Sequence, residues 1–169
     1  LGRFLRERYP NVADTMDCAV LPDGGMLLRW CSAQLSDQNP VLLAGHLDVV
    51  PGGDGWTVCE PFEGLRQDGR VYGRGAMDCK GVVIAMLEAA ESLMQEGYTP
   101  KRDLYFAFGA DEESGGKHGA KAIADTLEQQ GLKFDLILDE GGTIQDMECD
   151  GRTYSAAVIG MAEKQQVEY

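Results

Sequence analysis

Several things are scarce or absent in this chain, and each absence excludes something. No run of eighteen apolar residues occurs, so no helical membrane span is expected. The N-terminus, LGRFLRERYP, lacks the long apolar stretch of a signal peptide, and it begins on Leu rather than Met, so residues upstream are expected. Cysteines number five (Cys18, Cys31, Cys59, Cys79, Cys149), an odd count without a CxxC pair. That pattern argues against a disulfide framework and against a structural zinc knuckle, and it fits free thiols in a reducing, cytoplasmic compartment. Positive charge is outnumbered, with 15 Lys and Arg against 28 Asp and Glu, for a net charge of −13. Nucleic-acid binding depends on Lys and Arg neutralising phosphates, so no nucleic-acid partner is expected. Histidine is scarce, with only His46 and His118.

What is present is ordinary globular material: 169 residues, 44% hydrophobic and 25% charged, enough for one domain with a real core. Residues 1–9 read as the end of an amphipathic helix stopped by Pro10. MDCAV and MLLRWCS flank the turn LPDGG and read as a hairpin. VLLAGH is a short apolar run consistent with a buried strand, and a long Gly/Pro-rich loop comes after it. RVYG reads as a short strand. Residues 82–96 form the clearest helix, with Val82, Val83, Met86, Ala89, Ala90 and Leu93 as its apolar face and Gly97 as its stop. LYFAFGA and FDLIL read as buried core strands, GAKAIADTLEQQG as a second amphipathic helix, and TYSAAVIG as a last strand. Strands alternating with helices predict an α/β sheet, and the opening hairpin makes that sheet mixed.

Three of these apolar runs end on residues that bind metals: VLLAGHLD on His46 and Asp48, LYFAFGADEE on Glu112 and Glu113, and FDLILDEGG on Asp139 and Glu140. A fourth acidic loop, GRGAMDCKG, carries Asp78. Open α/β sheets bind ligands beyond the carboxyl ends of their strands, so one imidazole and several carboxylates are aimed at a shared spot, suited to a pair of divalent ions. Each piece also has a bland reading. His46 with Asp48 is otherwise a satisfied core histidine. If the strand continues, the two lie on one face, and Asp48 can fix the ring's orientation. Asp78 is otherwise a helix cap; as a ligand, its two oxygens can bridge two ions about 3.5–4 Å apart. Glu112 and Glu113 are otherwise a solvated acidic turn. As neighbours they point differently, so one can bind metal while the other serves as a general base. Asp139 and Glu140 pose the same choice. His118 reads as a surface residue, and Cys79 carries no catalytic role.

In order, LLAGHLDVVP, GRGAMDCKG, FGADEESGG and LILDEGG resemble the metal motifs of the dinuclear-zinc aminoacylase/carboxypeptidase family, across roughly residues 41–142. AVIGMAEK resembles the segment leading into that family's next domain. The resemblance implies an α/β, three-layer catalytic domain with a mixed, largely parallel sheet flanked by helices, truncated here. It divides the chain into 1–159 as the N-terminal part of the catalytic domain and 160–169 as the start of a connection to a lid or dimerisation domain. It implies two zinc ions, replaceable by cobalt or manganese. It casts His46, Asp78, Glu113 and Asp139 as metal ligands, with Glu140 as the alternative to Asp139. Glu112 becomes the general base toward a metal-bridged water, with Asp48 its catalytic support beside His46. A cis peptide bond between Asp78 and Cys79 is implied as well.

The function implied is hydrolysis of an amide or peptide bond next to a free carboxylate, with a small peptide or N-acyl amino acid as substrate and a homodimer as the full-length form. The family's final metal-binding His has no counterpart in this chain, so the alternative is an inactive fragment or a non-catalytic metal-binding relative.

Overall fold

The computed structural model describes residues 2–160 except 23, 35, 142, 143 and 159. The expected connecting segment at 160–169 lies outside the described residues from 161 onward. The chain divides into two compact units, Leu1–Asp139 and Glu140–Tyr169. The first opens with α1 (Gly2–Arg8) and α2 (Pro10–Thr15). It continues through β1 (Asp17–Val20), β2 (Met26–Trp30), β3 (Val41–His46), β4 (Leu65–Gln67), β5 (Arg70–Tyr72), α3 (Lys80–Gln95), β6 (Leu104–Gly109), a single 3-10 turn (Glu112–Ser114), α4 (Ala120–Gln129) and β7 (Leu136–Leu138). The second unit is a hairpin of β8 (Ile144–Cys149) and β9 (Arg152–Ala157).

The main sheet has the order β1-β2-β6-β3-β7. β1 pairs antiparallel with β2 and β2 with β6, whereas β3 runs parallel to both β6 and β7. The period-2 alternation of the central strands makes two cores. Met26, Leu28 and Trp30 of β2 and Phe106 and Phe108 of β6 pack with Leu5, Tyr9, Val12, Val83 and Leu87 of the first three helices and the link between them. Leu27, Leu42, Tyr105 and Ala107 pack with Ile123 and Leu127 of α4. Helices therefore cover both faces, and the three-layer expectation is met. Both long helices stop on a left-handed glycine. The Gly97 and Tyr98 N–H groups donate back to Met94 and Leu93, and those of Gly131 and Leu132 to Glu128 and Leu127, satisfying carbonyls that a helix end would leave bare.

Several local expectations are corrected. Pro10 ends one helix and also starts the next, at a position where its missing N–H costs nothing. The long loop after β3 is not structureless to its end. Leu65–Gln67 pairs with Arg70–Tyr72 around Asp68 and Gly69, both at positive φ (51° and 72°), a hairpin that the QDGR sequence signals. The buried stripe of α3 is Val83, Leu87, Ala90 and Glu91; Ala89 and Leu93 face out. Strand β7 is not a core strand: Leu136, Ile137 and Leu138 are 54%, 54% and 52% exposed. It occupies the edge of the sheet. Strand β8 has no apolar signature in the sequence, because IQDMEC is too polar to read as a core run.

Candidate metal centre

The two parallel strands β3 and β6 run level, with His46 opposite Gly109, so their carboxyl ends deliver the segments beyond them to one place. His46 is the last residue of β3 and is only 1% exposed. Its Nδ1 lies 3.0 Å from the Asp48 backbone carbonyl and 3.4 Å from the Asp48 carboxylate. A carbonyl only accepts, so Nδ1 carries the proton and donates it there. Nε2 points the other way, 2.8 Å from Asp78 Oδ1 and 3.9 Å from Glu112 Oε2. The strand does not continue to Asp48, as two side chains on one face would require. The chain turns after His46, and this turn brings the carbonyl of Asp48 under the ring.

The turn also gives the Asp48 carboxylate a second task. Its two oxygens accept the backbone N–H groups of Glu112 and Glu113, each at 3.0 Å. These are the first two residues of the 3-10 turn beyond β6. Asp48 thus caps the acidic turn while its own backbone orients the imidazole. Glu113 Oε1 in turn accepts the Val50 N–H at 3.3 Å. His46, Glu112 and Glu113 each offer a ligand atom within 4.8 Å of the other two.

Asp78 does not cap α3. The position before that helix belongs to Cys79, which makes no side-chain capping bond. Asp78 and Cys79 are joined by a cis peptide bond, as the resemblance implied. Cys79 is fully buried, and its Sγ accepts the His46 N–H at 3.0 Å and lies 3.5 Å from the His46 carbonyl. Nothing in the order of residues signals this latch, because thiol-to-backbone bonds have no characteristic spacing. Gly45 leaves the approach of α3 uncrowded, since a Cβ there would lie 3.1 Å from Val83. Asp139 comes directly after β7, the parallel neighbour of β3 on the side away from β6. His118 is exposed, in line with its surface reading.

The donor set suits a cation. With Nδ1 held by a carbonyl, Nε2 is the ring atom left for a cation, and a carboxylate oxygen stands beside it at 2.8 Å. Tetrahedral zinc bonds of 2.0–2.1 Å put two ligands of one ion about 3.3 Å apart, so this pair would open by about half an ångström around an ion. Asp48, Asp78, Glu112 and Glu113 further concentrate negative charge around a ring that is almost wholly out of water, where a divalent ion offsets their mutual repulsion.

Residues 42–153, more than half of the chain, match the peptidase family M20/M25/M40. The chain belongs to this family. An N-fatty-acyl-amino acid synthase/hydrolase of Xenopus tropicalis is 41% identical over 98% of the chain, and a probable carboxypeptidase S-like protein of Dictyostelium discoideum is 38% identical over 98%. The chain spans only about a third of the length of these curated relatives, 33% and 32% respectively. Among solved structures, human carnosine dipeptidase 1 superposes with a TM-score of 0.67 at 22% identity, over 85% of this chain and 33% of that one. The Dug1p dipeptidase of Saccharomyces cerevisiae superposes with a TM-score of 0.65 at 18% identity, over 86% of this chain and 33% of its own. At these identities the likeness shows that the M20 chain has the M20 fold. The family expectation drawn from the four motifs is met, and the mixed α/β architecture with it.

Proposed function

We propose that this chain carries the metal-binding and proton-transfer residues of a zinc-dependent hydrolase acting on an amide or peptide bond next to a free carboxylate. The observation that carries the reading is the convergence on His46 Nε2 of Asp78 at 2.8 Å and Glu112 at 3.9 Å, from three separate segments. His46, Asp78, Glu113 and Asp139 (or Glu140) would hold two zinc ions, with Asp78 between them. Bound there, zinc supplies Lewis acidity to a water and to the scissile carbonyl. Glu112 accepts the water's proton and later gives it to the leaving amine, the work of a general base that becomes a general acid. Asp48 holds Glu112 at its backbone and keeps the imidazole in the tautomer that leaves Nε2 for metal. The names of the M20 relatives support a peptide or an N-acyl amino acid as substrate.

Glu112→Gln in the full-length protein is expected to lower turnover by about two to four orders of magnitude while zinc content stays unchanged by elemental analysis. Unchanged turnover removes Glu112 from the base role. Zinc stoichiometry separates this reading from that of an inactive fragment or a non-catalytic metal-binding relative: two tightly held ions per chain support the hydrolase, and one or none supports the alternative.

A further inference from the structure

The acidic turn has a second carboxylate behind it that the proposed chemistry does not use. Asp111 precedes Glu112, and its side chain bonds to the end of the loop that leads into α4. Oδ2 accepts the His118 N–H and Oδ1 the Gly119 N–H, each at 2.7 Å. Its backbone carbonyl accepts the Ser114 and Gly116 N–H groups at 3.2 and 2.7 Å and the Ser114 hydroxyl at 3.2 Å. Residues 111–119 are therefore drawn into a closed loop around one aspartate. Gly115 and Gly116 supply the left-handed turns, at φ 101° and 64°. Gly119 has no room for a side chain, because a Cβ there would stand 2.6 Å from Asp111 Oδ1 and 2.7 Å from the Ala110 nitrogen.

The far end of this loop is the start of α4, whose Ile123 and Leu127 are buried against the sheet. Asp111 thus ties the turn bearing Glu112 and Glu113 to a docked ten-residue helix. Asp48 ties the same turn to the end of β3 through the Glu112 and Glu113 N–H groups. A single 3-10 turn has little stability of its own. Held by a carboxylate at each end, it has one position relative to both the helix and the strand.

We infer that Asp111 is a positioning residue. By clamping the His118 and Gly119 amides it fixes the Glu112–Glu113 turn, and through it the placement of the general base and of one metal ligand. The catalytic meaning rests on the roles proposed above for Glu112 and Glu113; the clamp itself does not.

The test is amide hydrogen exchange, read at single-residue resolution by mass spectrometry on the metal-free full-length protein and its Asp111→Ala variant. A merely local cap on α4 would release only His118 and Gly119. A positioning residue also releases Glu112 and Glu113, whose amides bond to Asp48 and not to Asp111. Exchange at those two amides is expected to accelerate by about tenfold or more in the variant, with the β6 amides of residues 105–108 unchanged. Unchanged exchange at Glu112 and Glu113, or no protection there in the parent chain, overturns the inference. Asp111→Asn keeps the size and one acceptor oxygen and is expected to restore part of the protection; it serves as the variant to read if Asp111→Ala does not fold. Because the readout needs neither metal nor turnover, a chain that fails to bind zinc defeats the proposed function while leaving the clamp standing.

Discussion

At the scale of single residues, Asp48 is the busiest group in the site. It accepts two backbone N–H groups through its carboxylate and one ring N–H through its carbonyl. Asp48→Ala leaves the carbonyl and removes the carboxylate, so the ring keeps its partner and the acidic turn loses its cap. A stability loss of about 1–3 kcal/mol is expected by denaturant midpoint, since two donors lose a charged acceptor. If the site holds zinc as proposed, its affinity falls about 10- to 100-fold in the variant. Unchanged stability would show that solvent replaces the carboxylate without cost. His46, Asp78, Glu112 and Glu113 are legible in the sequence as a group because His46 ends a strand, the two glutamates come just beyond one and Asp78 lies just ahead of a helix, and parallel strands aim their ends alike. The Cys79 latch and the double work of Asp48 are not, because both depend on backbone groups that have no letter in the sequence.

At the scale of elements, α3 illustrates both the reach and the limit of periodicity. Its span and its glycine stop come from pattern, but the buried stripe includes a carboxylate that no apolar face would predict. Glu91 accepts the N–H groups of Asn11 and Val12 and the side-chain amides of Asn11 and Gln95, and so caps the short α2 from a neighbouring helix. Burial by itself would push this carboxyl's pKa up. The Val12 and Asn11 donors outweigh it and hold the group below the ordinary carboxylate range. Because the folded-state pKa is depressed, the stabilisation is full above the unfolded-state pKa. It is lost as pH falls below about 4.5 and through the folded-state value. The parent chain is thus expected to lose melting temperature on acidification through that range, and Glu91→Gln to lose less over the same range while starting lower at neutral pH. Identical pH profiles would remove Glu91 from the acid response. The gap between expectation and structure at β7 has a different origin: FDLIL has the composition of a buried strand, but burial is decided by what packs on it.

At the scale of the whole molecule, that exposed strand has a consequence for solution behaviour. Strand β7 ends the sheet order, and its three aliphatic side chains, about half exposed, alternate between the two faces. An exposed apolar edge is a template for pairing between copies. Light scattering is expected to show self-association of the 169-residue chain, and Ile137→Lys to reduce it without lowering the melting temperature. Association unaffected by Ile137→Lys would move the sticky surface elsewhere. The same molecule also carries a chemical clock. Cys18, Cys31 and Cys149 are exposed, whereas Cys79 sits at 1% exposure with its sulfur bonded to the His46 backbone. Towards an aromatic disulfide reagent the exposed thiols are expected to react first and Cys79 last, at the rate at which the junction of β3 with α3 opens. A fast Cys79 would mean that the junction is loose. If His46 holds zinc, adding the metal slows this last phase alone, because a ligand that binds the closed form suppresses its opening. A sulfur with no part in the proposed chemistry would then time every release of the histidine that begins it.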